Sequence, residues 1–338
     1  MDDFQRIVKT LGSEFKEFIY ESEAGEEGKR IVLENTQSDN LLSKLFSGKK
    51  IFKRSEGAII YVPDENRKDI STSVFINSEG NPTYLAKDIG LLSLKFKKYN
   101  PDLSIYVVDN EQNAHFKSVF DAGGKINKTW EEKSVHVSHG RMTFKGKKMS
   151  SRLGGVPSGE EVINAVLDEV KERSSGSDTK HEVTEEVQKE IALSALRVAI
   201  LRSKPGVNID FDPERSLSFE GDSGPYLCYT HARCCSLLEK VSFKFVPNLK
   251  LTLENNDLSR KLFQFEKIVV DSVEEIAPQK LIKYLFEVAG EFNNFYAHNK
   301  IITENEAETR ERMQLVFYTK KVLEKGLYLI GVKAPEKM

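Results

Sequence analysis

A partial, doubly wound α/β domain followed by an all-α bundle is the fold class that the sequence predicts. Three observations carry it. Up to Phe144, short β-branched or apolar runs alternate with segments of helical spacing, in the order β, α, β, α, β. From Gly224 onward, helical runs alternate only with polar loops, as in a bundle. Between the two lies a glycine- and lysine-rich loop, "GKKMSSRLGG" (Gly146–Gly155), where the pattern changes character.

The elements follow in order. Asp2–Leu11 reads as a helix. "EGAIIYVP" (Glu56–Pro63) and "STSVFINSEG" (Ser71–Gly80) read as strands, the second ending in a Ser-Glu-Gly turn. Thr83–Tyr99 has helical apolar spacing and starts just after Pro82. "LSIYVVD" (Leu103–Asp109) is a continuous apolar run, the pattern of a buried parallel strand. "NAHFKSVFDAGG" follows as a helix predicted to stop at its glycines, and Ser134–Phe144 alternates like one strand. Ser158 and Glu161 form a capping box that opens a helix to about Val170. A polar break, "ERSSGSDTKHE", separates it from a strongly periodic helix over Val183–Leu201. Further helices are expected over Tyr226–Val241, Ser259–Glu274, Pro278–Ala297 and Glu304–Gly326. The domain boundaries this implies are 1–157, 158–220 and 221–338.

Composition narrows the function classes. The chain has 338 residues, 30% charged and 39% hydrophobic, with a net charge of −2. That suits a cytoplasmic globular protein with two or three domains and no membrane partner. No apolar run approaches a membrane span, and "MDDFQRIVKTLG" lacks the pattern of a signal peptide. Cys228, Cys234 and Cys235 show neither a disulfide framework nor metal-ligand spacing, so no structural metal is expected. Any nucleic-acid binding must come from local patches or shape. Residues 221–338 carry 17 Lys and Arg against 16 Asp and Glu.

The loop is the first motif with chemistry. Glycines allow backbone N–H groups to approach an anion, lysines add compact charge, and Ser150 and Ser151 add donors. A polyphosphate fits that donor set; a solvated hairpin is the plain alternative. The string contains no Walker pattern. A second motif lies on the Thr83–Tyr99 helix. Tyr84 and Asp88, four apart, share one face, and a carboxylate beside a phenol can receive a guanidinium. An ordinary surface pair near a helix start is the alternative there.

Several strings together carry a family resemblance. "KMSSR" (Lys148–Arg152) resembles the KMSK-type signature of class I aminoacyl-tRNA synthetases, in the variant of the arginyl-tRNA synthetases. "GNPTYLAKDIGL" (Gly80–Leu91), "IYVVDNEQNAHF" (Ile105–Phe116), "NIDFDPERSLSFEGDSGPYLCYTHAR" (Asn208–Arg233) and the terminal "GLYLIGVKAPEKM" resemble that family's segments, in family order.

The resemblance implies a partial Rossmann-like catalytic domain over 1–157, a helical connecting and stem-contact region over 158–220, and an all-α anticodon-binding bundle over 221–338. It implies ATP-dependent activation of L-arginine to arginyl-adenylate, with Mg2+ accompanying ATP, then transfer to the 3′-terminal adenosine of tRNA(Arg). Tyr84, Asp88 and Gln112 would bind the arginine. Lys148, Met149, Ser150, Ser151 and Arg152 would form the ATP loop, with Lys148 as the catalytic cation on the pyrophosphate side. Ser151 stands where the generic pattern has its second lysine. His115 opens a helix, with a capping, packing or site role left open. In the bundle, Tyr226, Tyr229, Phe292, Phe295 and Tyr296 are candidates to stack on unpaired bases, and Arg233 to contact phosphate or base. Core packing is the alternative for each aromatic. Lys320–Lys321 is a local basic cluster.

Class I synthetases also need an H-x-G-H signature, and the chain has none. "HVSHG" (His136–Gly140) carries Ser138 where the glycine belongs and sits in a strand-like run, so His136 and His139 read as strand residues. The resemblance therefore covers the later part of the family pattern. It implies that the chain alone is inactive unless a separate chain supplies the N-terminal half. It also implies a first domain with an unpaired sheet edge and exposed apolar faces, poorly soluble or dependent on a partner. A non-catalytic tRNA-binding module is the alternative reading.

Overall fold

The computed structural model describes residues 2–37, 50–144, 159–175, 184–241, 243, 245–247 and 257–338. These form two compact units: Phe15–Gly140, and Met1–Glu14 together with Arg141–Met338.

In the first unit, helix α2 (Glu21–Glu34) crosses α3 (Tyr84–Tyr99) at very short range; α1 (Asp2–Thr10) belongs to the second unit. Gly28 and Gly90 make that crossing possible. A Cβ on Gly28 would lie 1.8 Å from the Ala86 carbonyl oxygen, and one on Gly90 would lie 1.9 Å from that of Ala24. Three short strands, β1 (Phe52–Ser55), β2 (Ala58–Tyr61) and β3 (Ser73–Ile76), make an antiparallel sheet in that order. The β, α, β, α, β order is therefore not a continuous parallel sheet. The short turn at Glu56–Gly57, where both residues have positive φ, forces β1 and β2 to run antiparallel.

Parallel pairing is confined to β4 (Ser104–Asp109) and β5 (Ser134–His139), joined through α4 (Asn113–Ile126) and α5 (Lys128–Glu132). Two expectations are corrected here. β4 is buried on one face only: Ser104 and Tyr106 point inward, whereas Ile105 is exposed and Val107 is 65% exposed. And α4 does not stop at Gly123–Gly124. A Cβ on Gly123 would meet Leu92 at 3.3 Å and one on Gly124 would meet Glu131 at 2.2 Å, so these glycines make room for neighbours within a continuing helix. The core gathers Val32, Phe52, Tyr61, Phe75, Ile89, Phe116 and Trp130. Beneath it, buried Asp121 accepts a hydrogen bond from the Tyr61 hydroxyl and pairs with Arg67 at 2.5 Å.

The second unit has two cores. α6 (Gly159–Ser175) and α7 (Glu185–Leu201) enclose Val166, Ile191 and Leu196 with Phe211, and α1 (Asp2–Thr10) adds Ile7. Strands β6 (Met142–Phe144) and β7 (Ile209–Phe211) pair in parallel. Ser134–Phe144 is thus two strands in two sheets. The Arg141 backbone breaks the run by donating to the Asn208 side chain at 2.9 Å and accepting from Ile209 at 2.8 Å. After the short α8 (Pro213–Ser216) comes the bundle: α9 (Gly224–Glu239), α10 (Asp257–Leu262), α11 (Phe265–Glu274), α12 (Pro278–His298) and α13 (Glu306–Leu329). Leu227, Leu285, Phe292, Val316 and Leu323 are among its fully buried residues. The single helix expected over Ser259–Glu274 is two, with a turn at Phe263–Gln264. No helix among the described residues is long and apolar enough to cross a membrane.

Candidate functional site

The carboxyl end of β4 is where an α/β unit offers a ligand its loops and helix starts. Asp109 closes that strand by accepting a hydrogen bond from Glu111 N at 2.8 Å. The resulting 3-10 turn, Asn110–Gln112, delivers exposed Gln112 as the N-cap of α4 and places His115 one turn further along. On the facing helix, the Thr83 hydroxyl donates to Val74 O at 2.8 Å and so ties the start of α3 to β3. That anchor sets Tyr84 and Asp88 on the first two turns of α3.

The two helix starts meet through their side chains. His115 Nε2 donates to Asp88 Oδ2 at 2.5 Å, so His115 belongs with the predicted arginine-binding group. Tyr84 is 70% exposed, and the Lys87 ammonium lies 4.8 Å from its ring centre while pairing with Glu21. His115 and Asp88 are thus brought together, whereas Tyr84, one turn before Asp88, and Gln112, one turn before His115, are exposed at the same two helix starts. His136 stacks on Phe116 at 4.6 Å and donates to Val108 O at 3.3 Å; burial lowers its pKa. His136 and His139 both lie in β5, as strand residues. Lys148, Met149, Ser150, Ser151 and Arg152 lie outside the described residues, as does Ser158 of the expected capping box.

A second site lies in the second unit. A cavity of about 740 Å³ is lined by Tyr229, Arg233, Lys240, Tyr296, Lys337 and Met338 among others. Tyr229 and Arg233 project from α9 one turn apart, and Tyr296 from the last turns of α12. The Arg233 guanidinium stands 4.7 Å from the Tyr229 ring centre and 5.0 Å from that of Tyr296. Asn293 holds it there, accepting from Arg233 Nη1 at 2.6 Å. The Asn293 amide in turn donates to the Tyr226 hydroxyl at 2.9 Å and Thr230 Oγ1 at 3.1 Å. Tyr229 and Tyr296 keep exposed ring surface, whereas Tyr226 leans on the bundle core. The planar cation and two rings make a receptor for a flat, hydrogen-bonding ligand, in a lining of mixed charge where Lys240 and Lys337 stand beside Glu239 and Glu336.

Other candidates do not join either group. Phe292 is wholly buried and Phe295 packs partly buried against the core. Lys320 faces Glu336 at 3.7 Å and Lys321 pairs with Glu324 at 2.9 Å, so neither is an unneutralised cation. Burial pushes all three thiols up, Cys228 to about 12, which removes thiolate chemistry at neutral pH. Sequence reading missed Asn293 as the organiser of Arg233. The signal for it is an amide on the inward side of an apolar helix, one residue after buried Phe292.

The comparisons with known proteins agree with this layout. The family model "tRNA synthetases class I (R), catalytic domain" matches residues 22–212, and "DALR anticodon binding domain" matches residues 227–338. A catalytic α/β domain of that class joined to a helical anticodon domain defines a class I aminoacyl-tRNA synthetase. Within that class, the chain belongs to the arginyl-tRNA synthetase family. Arginine–tRNA ligase of Lactococcus lactis subsp. lactis is 31% identical over 340 residues, covering 99% of this chain and 58% of the relative. That of Clostridioides difficile is 28% identical over 342 residues, covering 100% and 58%. Among solved structures, Thermus thermophilus arginyl-tRNA synthetase superposes with a TM-score of 0.78 at 25% identity, over 99% of this chain and 62% of that one. Mycobacterium tuberculosis methionyl-tRNA synthetase, at 12% identity and TM-score 0.58, shares the fold. The chain spans 58% of the length of the curated relatives named here.

Proposed function

We propose that this chain supplies part of an arginyl-tRNA synthetase, which, together with a polypeptide bearing the H-x-G-H signature, activates L-arginine with the magnesium complex of ATP and transfers it to the 3′-terminal adenosine of tRNA(Arg). The observation that carries the reading is the pairing of Asp88 with His115, between the helix starts that bear Tyr84 and Gln112, inside the segment that matches the arginine-class catalytic family. In this reading Asp88, with Tyr84 and Gln112, receives the guanidinium. The amino acid's carboxylate oxygen then attacks the α-phosphorus and pyrophosphate leaves. Lys148 neutralises charge growing on the pyrophosphate, and Met149, Ser150, Ser151 and Arg152 line the ATP. In the second step the adenosine hydroxyl attacks the acyl carbon and AMP leaves. Positioning and charge stabilisation supply most of the acceleration in such steps.

The same reading assigns 1–157 to catalysis, 158–220 to connection with the tRNA stem, and 221–338 to the anticodon. Tyr229 and Arg233, with Tyr226 behind them, take unpaired bases in the bundle cavity. The exposed Ile105–Val107 face of β4 favours a second polypeptide completing the catalytic domain. Arginine-dependent ATP–pyrophosphate exchange by the purified chain, with bulk tRNA present, tests the activity. Clear exchange means the chain needs no second polypeptide. No exchange from a folded sample, restored by adding the remaining part of a relative, places the defect in the missing half.

A second reading, a non-catalytic tRNA-binding module, is favoured by the bundle cavity, whose Arg233 and tyrosine rings need no catalytic partner. It expects tRNA binding without exchange under either condition.

A further inference from the structure

We propose that His115 is a positioning residue for the guanidinium receptor, an inference that rests on assigning Tyr84, Asp88 and Gln112 to arginine. An aspartate near a helix start turns easily about its last torsion, so its two oxygens sample many directions. Here one of them is tied. His115 Nε2 donates to Asp88 Oδ2 at 2.5 Å, and the two side chains are only 17% and 26% exposed. Among the described residues the Asp88 carboxylate has no other hydrogen-bond partner. Oδ1 and the second lone pair of Oδ2 therefore remain for a ligand, at a fixed angle.

The imidazole is itself held from behind. The Phe116 ring meets it edge-on at 5.2 Å, and Phe116 is buried and stacks on His136. Gln112 lies one helical turn before His115 at the same helix start. The string Gln112-Asn113-Ala114-His115 thus divides two tasks: Gln112 stays exposed for the ligand, and His115 orients the carboxylate. A carboxylate fixed in one plane suits the rigid fork of a guanidinium. A freely turning one takes a compact ammonium almost as well. The role of His115 is therefore discrimination of arginine-type from lysine-type cations.

The test is equilibrium binding to the full chain, by titration calorimetry or ligand-observed NMR, with methylguanidinium, methylammonium and L-arginine as probes. His115→Ala is expected to weaken methylguanidinium about tenfold while leaving methylammonium nearly unchanged. His115→Gln, whose amide nitrogen reaches the place of Nε2, is expected to return methylguanidinium to within about threefold of the original. His115→Phe fills the volume without a donor and is expected to behave like His115→Ala. Trp130 fluorescence confirms that each variant is folded. Rescue by Phe and not by Gln, or an unchanged preference in all variants, overturns the proposal and leaves His115 a packing residue. A His115-dependent methylguanidinium site that ignores L-arginine overturns the arginine assignment and leaves the positioning role standing. No methylguanidinium binding by the folded original chain overturns both.

Discussion

At the residue scale, two side chains turn ordinary surface positions into sites. Asn293 fixes Arg233 between Tyr229 and Tyr296, and His115 fixes Asp88. Neither organiser has a spacing that marks it in the sequence, because each acts on a residue 60 or 27 positions away along the chain. The residues they hold were legible. Tyr84 and Asp88 share a helix face by their spacing alone, and Tyr229 and Arg233 do likewise. Arg233→Ala is expected to lower tRNA affinity about tenfold or more, since base stacking on such platforms is worth about 1–3 kcal/mol per base. Arg233→Lys is expected to fall nearly as far, because an ammonium lacks the planar surface both rings face. Filter binding with tRNA at fixed salt reads both. Wild-type affinity in Arg233→Lys would show that charge alone matters.

At the element scale, the crossing of α2 on α3 decides where the candidate arginine site can stand. Gly90→Ala sets a methyl group against the Ala24 carbonyl, and a cost of about 3 kcal/mol is expected because backbone cannot step aside cheaply. Gly290→Ala on α12 meets nothing within 4 Å and is expected to be neutral or to stabilise by up to about 1 kcal/mol. Urea unfolding of the two variants gives the comparison.

The same pair of helices carries a pH-dependent link. Glu27 on α2 accepts from Arg30, from Lys97 at 2.5 Å and from Ser93 at 2.7 Å, the last two on α3. The Arg30 guanidinium, against the opposing effect of burial and with help from Lys97 and Ser93, holds this carboxyl down at about 2. Its folded pKa lies below its unfolded value of 4.5. The stabilisation is therefore complete above about pH 4.5 and is lost as pH falls toward 2. Its size is on the order of 1–2 kcal/mol, since Arg30 and Lys97 are water-exposed. Glu27→Gln is expected to flatten that part of the stability profile between pH 5 and pH 3. An unchanged slope would assign the acid sensitivity to other carboxylates.

At the scale of the whole molecule, each unit has cores of its own. Trp130 is the single tryptophan and lies in the Phe15–Gly140 unit, so its fluorescence follows that unit. Far-ultraviolet circular dichroism follows mainly the helices of the other. Gly90→Ala is expected to move the fluorescence transition and leave most of the helical one in place. Leu285→Ala, at a fully buried bundle position, is expected to do the reverse at a cost of about 2–5 kcal/mol. Equal shifts of both signals in both variants would mean that the units unfold as one.

Legible in the chain were most helices of the bundle, the α3 helix with its Tyr84–Asp88 face, strands at Ser104–Asp109 and from Ser134, and the family. These are local periodicities and contiguous strings, which a chain carries without its fold. The Lys148–Arg152 loop is read from the sequence alone. Packing settled that β1–β3 run antiparallel, that β4 is buried on one face, that Ser134–Phe144 splits between two sheets, that Ser259–Glu274 holds two helices, and that Gly123 and Gly124 lie within a helix. Strand direction and close packing depend on what lies across the gap, and residues far apart in the chain set that. The same reason applies to His115 and Asn293. A hydrogen bond between distant segments leaves no periodic trace in either one, so their roles became visible only when the helices were side by side.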